Sequence, residues 1–225
     1  MSPVLVDVDG TLLPNPSSER RFLLYLLRVG KLGPIQLGSA LAFYGRWAHR
    51  FGRDIGRKNK AYLTNLKTAD VDDLAAQFVR QHLRPLLRTG LVDRIAAHQR
   101  QGEPVALLTG TPEFIAGPLA ALLGIETVEA TRCVTRNGRF CAAPPLLHPL
   151  GAEKLRQAAR LCRRLGAALG DATAYADSIQ DRLLLERVAR PVVVAPDRRL
   201  LRLARERGWE IVEAPAPWRV LDARD

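Results

Sequence analysis

Pro3-Val4-Leu5-Val6-Asp7-Val8-Asp9-Gly10-Thr11-Leu12 decides how the rest of this chain is read. An apolar run delivers two carboxylates two residues apart, and Gly10 and Thr11 then turn the chain. Strand side chains repeat with period two, so Asp7 and Asp9 leave the strand on one side while Val8 points away. Two like charges that close are costly to keep ionised unless a cation lies between them or one retains its proton. The pair therefore suits a metal-assisted nucleophile working with a general acid.

Three further segments follow in order. Val105-Ala106-Leu107-Leu108-Thr109-Gly110-Thr111-Pro112-Glu113 reads as an apolar strand ending in a hydroxyl and a glycine where a helix begins. Hydroxyl and backbone N–H groups at such a place can hold phosphate oxygens. Lys154 sits in Gly151-Ala152-Glu153-Lys154-Leu155, at the start of a long helical pattern. Thr173-Ala174-Tyr175-Ala176-Asp177-Ser178-Ile179-Gln180-Asp181 is a strand that ends in a second pair of carboxylates.

Strand patterns at 3–8, 104–109, 125–131, 172–177, 190–195 and 210–213 alternate with helical patterns at 85–101, 112–123, 151–169, 180–189 and 197–207. That alternation predicts an α/β fold, a Rossmann-like parallel sheet with helices on both faces. The motifs fall at the C-terminal ends of strands, where open α/β sheets place their sites. Between the first strand and the next lie about seventy residues of helical character, too long for an ordinary connection. The expected organisation is a catalytic core of residues 1–13 and 86–225 with an inserted all-helical cap over 14–85. Ser17 and Ser18 can cap its first helix near Glu19, and Asn137-Gly138 is a hairpin turn signal.

The four motifs together resemble the haloacid dehalogenase superfamily, in its phosphoserine-phosphatase-like branch with a helical cap after the first motif. The likeness covers almost the whole chain and extends to Arg190-Pro191-Val192-Val193-Val194-Ala195-Pro196-Asp197, Ala204 and Gly208-Trp209. It implies phosphomonoester hydrolysis with Asp7 as the nucleophile that forms an aspartyl-phosphate and Asp9 as the general acid and base. It implies Mg2+ held by Asp7, the main-chain carbonyl of Asp9, and Asp177, with Asp181 in support. Thr109, the Gly110 N–H and Lys154 would bind phosphate and offset its charge. Asp9 favours phosphate over halide, because in this superfamily the true dehalogenases lack that second aspartate.

At 225 residues and 47% hydrophobic content the chain can bury a large core. Three cysteines, Cys133, Cys141 and Cys162, read as reduced thiols, and no leader is recognisable at the N-terminus, so a cytoplasmic protein is expected. The net charge of +11 invites a nucleic-acid reading, but residues 14–85 hold 13 Lys or Arg against five acids, +8 of that total. A nucleic-acid partner is not expected. The chemistry is common to all phosphomonoesters, so the cap should choose among them, with Arg20, Arg50 and Arg53 as candidate substrate contacts.

Leu32 to Gly45 is uncharged and abuts Arg46, Trp47, His49, Arg50, Phe51 and Arg53. An apolar stretch next to a basic, aromatic one is what an anionic-lipid-binding helix requires, though packing of these helices on one another within the cap is the plainer explanation. The cap is similar to that of phosphatidylglycerophosphatase C-type lipid phosphatases, which keeps a lipid substrate and peripheral contact with the inner face of the membrane as alternatives. Phosphotransfer to an alcohol is another. A noncatalytic anion-binding or nucleic-acid-binding protein is disfavoured by the intact cluster of like charges. No acid occurs between Leu13 and Ser18 to hold a substrate ammonium, and Glu19 is a poor substitute, so amino-acid phosphates are less favoured. Self-association is left open.

Overall fold

The computed structural model describes residues 2–212, apart from the side chain of Arg53. Its strands are β1 (Val4–Val6), β2 (Val105–Pro112), β3 (Thr127–Thr131), β4 (Thr135–Arg136), β5 (Arg139–Phe140), β6 (Thr173–Ala176), β7 (Arg190–Val194) and β8 (Glu210–Val212). The helices are α1 (Ser18–Arg28), α2 (Pro34–Phe51), α3 (Ile55–Lys58), α4 (Thr68–Phe78), α5 (Thr89–Arg100), α6 (Glu113–Leu122), α7 (Ala152–Arg164), α8 (Arg182–Leu185) and α9 (Arg198–Arg207). Six strands form one parallel sheet in the order β3-β2-β1-β6-β7-β8, with Val4 of β1 opposite both Val105 and Thr173. The chain thus builds outward from β1 in one direction and then outward from β6 in the other. The crevice at that reversal, beyond the C-terminal ends of β1 and β6, is where such sheets bind ligands.

The unbroken apolar runs of the strands follow from burial on both faces. Val4, Val6, Tyr175 and Val192 pack with Phe22 and Leu26 of α1, Phe78 of α4, Ile95 of α5 and Ile115 of α6. Leu5, Ala106, Ala174 and Val193 pack on the opposite face with Leu161 of α7, Leu184 of α8 and Leu200 of α9. Residues alternate between the two clusters along each strand because the side-chain period is two.

Between β1 and β2 the described residues carry α1 to α5 and no strand. Ser17 caps α1, its hydroxyl accepting from the Arg20 N–H. This segment is welded to the core: Phe22 lies 5.3 Å from Phe78 and 5.5 Å from Phe114, ring centre to ring centre. The β4–β5 hairpin, turned at Asn137 (φ 51°) and Gly138 (φ 68°), also joins it through Asn65 N–H to Phe140 O and Phe140 N–H to Leu66 O. α2 projects beyond this packing, leaving Ile35, Leu37, Leu41 and Tyr44 exposed. No helix among the described residues is long and apolar enough to cross a membrane.

Several boundaries differ from the sequence expectation. β2 does not stop at Thr109; it continues through a register shift to Pro112, held by the Thr111 N–H bonded to the Thr109 hydroxyl at 3.1 Å. α5 begins at Thr89, after a tight turn over Arg84–Leu86 that contains Pro85, whose missing N–H cannot continue a helix. The pattern at 180–189 yields only α8 after a short turn, and the last residue of the strand expected over 210–213 lies outside the described residues.

Candidate active site

Asp7 follows β1 directly, and its N–H bonds the carbonyl of Tyr175 on β6, so the switch point sets its place. Lys154 enters the same space from the first turn of α7. Its ammonium lies 2.8 Å from Asp7 Oδ1 and 2.8 Å from Asp181 Oδ2, and all three side chains are nearly sealed from solvent. Burial works against the ammonium, but Asp181 and Asp7 outweigh it and hold the Lys154 pKa above its ordinary value. Asp177, beyond β6, completes the group. Burial, with repulsion from Asp7 and Asp181 and against the pull of Lys154, raises Asp177 to about 7. Burial likewise raises Asp181 against Lys154.

Three carboxylates around one ammonium leave a surplus of negative charge in a poorly hydrated place. All their donor atoms are oxygens, which a hard divalent cation prefers, and such a cation would relieve the surplus. Among the described residues no set of three His, Cys, Asp or Glu side chains forms a ready-made metal cage. A magnesium site needs no such cage, since that ion keeps several waters and takes one or two carboxylates. The residues present therefore fit Mg2+.

Gly10 explains why the motif turns where it does. Its φ of +89° suits glycine, and a Cβ there would sit 1.9 Å from Asp177 Oδ2. The 8–13 loop closes by Leu13 N–H to Val8 O at 2.9 Å, and Arg88, the residue just before α5, braces it, its N–H on Leu12 O and its guanidinium 3.4 Å from Gly10 O. Arg88 Nε is buried without a partner.

Asp9 takes different partners from Asp7. Its Oδ1 accepts the Ser18 N–H at the start of α1 at 2.6 Å, and its Oδ2 accepts the Thr111 hydroxyl at 2.9 Å. Thr109 donates to the Thr111 hydroxyl in turn, at 3.1 Å. Burial raises the Asp9 pKa, with the Ser18 N–H opposing. Thr111 and Ser18 had no place in the sequence reading of the site. Thr111 was nonetheless detectable, since two residues beyond Thr109 on a strand it shares that residue's side.

Arg20 and Arg50 are exposed, Arg50 with its guanidinium over the rings of Trp47 and Phe51, and the Arg53 side chain lies outside the described part. Other cations approach the site instead. Lys60 is buried in a pair with Glu19, whose other oxygen takes the Tyr62 hydroxyl at 2.9 Å, so Glu19 is already committed. Arg57 and Lys58 of α3 act on His148, whose pKa falls to about 3 through burial first and then the charges of Lys60, Lys58 and Arg57.

A model of the haloacid dehalogenase-like hydrolase family matches residues 4–186. A probable phosphatase of Mycobacterium tuberculosis is 31% identical over 162 residues, covering 70% of this chain. The chain spans only 56% of that relative's length. A histidinol-phosphatase of Neisseria meningitidis is 26% identical over 219 residues, 92% of this chain and 96% of the relative. Among solved structures, a Bordetella pertussis protein of unknown function aligns with a TM-score of 0.79 at 27% identity, over 94% of this chain and 98% of that one.

Proposed function

Because the chain belongs to the haloacid dehalogenase-like hydrolase family, we propose that it hydrolyses phosphomonoesters by transferring the phosphoryl group to Asp7. The observation that carries this reading is Lys154 bridging Asp7 and Asp181 at 2.8 Å each, with Asp177 beside them. The ammonium fixes one oxygen of Asp7 and leaves the other to attack phosphorus. It also offsets the repulsion between a carboxylate and a phosphate dianion. Thr109 and the Gly110 N–H, at the far end of β2, are the phosphate contacts in this reading. Asp7, the Asp9 carbonyl and Asp177 would hold Mg2+, which supplies further charge compensation to the transferring phosphoryl group.

Asp9 acts as general acid and then as base. Its raised pKa favours the proton it must give to the leaving alcohol, and the same carboxylate later takes one from the attacking water. Thr111 and Thr109 allow this exchange: when Asp9 carries the proton, it donates to Thr111, whose own proton turns towards Thr109 or towards Ser18 Oγ at 3.5 Å. Residues 14–85 act as the cap over the leaving group.

The test is phosphate release with Mg2+ from a panel holding histidinol phosphate, phosphoserine, sugar phosphates and nucleotides beside micellar lipid phosphates. Asp7→Asn should lower turnover at least a thousandfold and Asp9→Asn about a hundredfold or more. Full activity in Asp7→Asn would end this reading.

A second reading puts the same chemistry at an anionic membrane surface on a lipid substrate. It rests on α2, where Ile35, Leu37 and Leu41 are 62%, 65% and 64% exposed, and on residues 20–53, which hold seven Arg or Lys and no acid. Flotation with phosphatidylglycerol vesicles should carry the protein upward. Protein left at the bottom of the gradient would discard this second reading alone.

A further inference from the structure

We infer that His148 selects the substrate by accepting a hydrogen bond from a neutral O–H on the leaving group, so that the preferred phosphomonoesters are those of polyols. The inference rests on the phosphatase reading above and names its substrate class. Thr131 Oγ1 lies 2.6 Å from the Gly110 carbonyl and 2.7 Å from His148 Nδ1. A carbonyl can only accept, and a hydroxyl has one proton, so Thr131 gives that proton to Gly110. It must then accept from His148, which therefore carries its proton on Nδ1. The Nε2 lone pair is left as an acceptor, and that atom is buried with no partner. An acceptor shut away from water and left unpaired is costly unless a ligand satisfies it.

His148 stands beside the reacting centre. Its Cε1 is 3.6 Å from where a Cβ on Gly110 would be, next to the proposed phosphate contacts. It also lines a cavity of about 320 Å³ with Asp54, Lys58, Leu146, Glu153 and Arg156, between the 54–58 segment and the 145–150 loop. The cavity is the open space beside the ring, so a donor to Nε2 would approach from between those two walls. The charge around it rules on what the donor is. Arg57, Lys58 and Lys60 all bear on the ring, and they disfavour an ammonium. The nearby carboxylates that would welcome one already face cations: Asp54 of the cavity wall lies 3.8 Å from Arg57, Glu19 is taken by Lys60 and Tyr62, and Glu153 by Arg156 and Gln157. A hydroxyl offers a proton without that charge.

The experiment compares ω-hydroxyalkyl phosphates of two to four carbons with their ω-methyl and ω-ammonium counterparts, as kcat/KM. The wild type should favour the hydroxyl over both others by about tenfold or more. His148→Leu should bring the hydroxyl-to-methyl ratio close to one, and His148→Gln, which can still accept, should keep part of it. Nitrogen-15 NMR of His148 should show Nε2 unprotonated at pH 7 and shifted when 2-hydroxyethyl phosphate, but not propyl phosphate, binds the Asp7→Asn protein. A hydroxyl preference that survives unchanged in His148→Leu, a preference for the ammonium esters, or a proton on Nε2 would each overturn the inference. Absence of turnover with every ester, p-nitrophenyl phosphate included, would count instead against the role of Asp7, and the NMR measurement would still decide on His148.

Discussion

Two cavities lie towards opposite ends of the sheet, and the larger is the one whose charges are mostly matched. The one of about 620 Å³ opens at the N-terminal ends of β6 and β7, between Arg94, His98, Tyr175, Arg190 and Trp209. Its charges are mostly matched: Arg94 meets Glu210 at 2.6 Å, and His98 joins Glu103 to the Tyr175 hydroxyl at 2.8 Å, with the Thr173 hydroxyl buried and unpartnered. At the C-terminal ends the cavity of about 320 Å³ beside His148 is smaller, and in the buried cluster at the ends of β1 and β6 the charges conflict. Asp7 and Asp181 share one ammonium with Asp177 left beside them, and Arg88 Nε and His148 Nε2 have no partners. Volume marks where the packing is loose. Unbalanced charge marks where folding has been made to hold groups that only a cation, a phosphate or a substrate can satisfy.

The sharpest way to break this contrast is Lys154→Met, which leaves the buried carboxylates without their cation. It should cost roughly 3–5 kcal/mol in urea unfolding. Adding Asp181→Asn should restore part of that, and a loss under 1 kcal/mol would mean the cluster is less tightly coupled than its geometry implies. Gly10→Ala comes next, because its Cβ would collide with Asp177 and its backbone would be strained. A loss of roughly 1–3 kcal/mol is expected, with Mg2+ affinity falling at least tenfold by calorimetry.

Asp177 gives a subtler test. Its pKa is about 7 in the folded chain and about 3.9 unfolded, so the folded state holds the extra proton between those values. Without metal, stability from this group is present below pH 4 and lost as pH rises through 7. Mg2+ should therefore raise the melting temperature more at pH 8 than at pH 5, and Asp177→Asn should flatten the difference. The smallest effect belongs to the other cavity. Arg94→Ala breaks an ion pair between two half-exposed side chains and should cost at most about 1 kcal/mol, with kcat/KM unchanged. A large loss of turnover would show that the two ends of the sheet are coupled.

Much of this was legible in the chain itself because it depends on neighbours in sequence. The strand periods, the Asn137-Gly138 turn and the Ser17 cap are local matters of backbone geometry, and they appear where expected. The ends of β1, β2 and β6 placed Asp7, Thr109 and Asp177 near one crevice, since a parallel sheet brings its C-terminal ends together. The extension of β2 was missed because a side-chain bond between Thr109 and Thr111, and not the apolar pattern, holds it. Arg88, His148 and the Glu19–Lys60–Tyr62 set were also missed. Each is a common residue type whose meaning comes from a partner 41 to 78 positions away, or 17 in the case of Thr131 and His148.

By itself, then, the sequence determined the alternation of strands and helices, the order of the motifs and the presence of four aspartates beyond strand ends and one lysine at the start of a helix. Only the tertiary structure decided which of those charges touch, that Asp7 and Asp9 turn to different partners, and that one histidine nitrogen is left wanting a proton. The reason is physical. Secondary structure follows from steric periods that repeat every two or 3.6 residues, whereas pKa values, tautomers and unpaired polar atoms depend on burial and on charges that folding alone brings within a few ångströms.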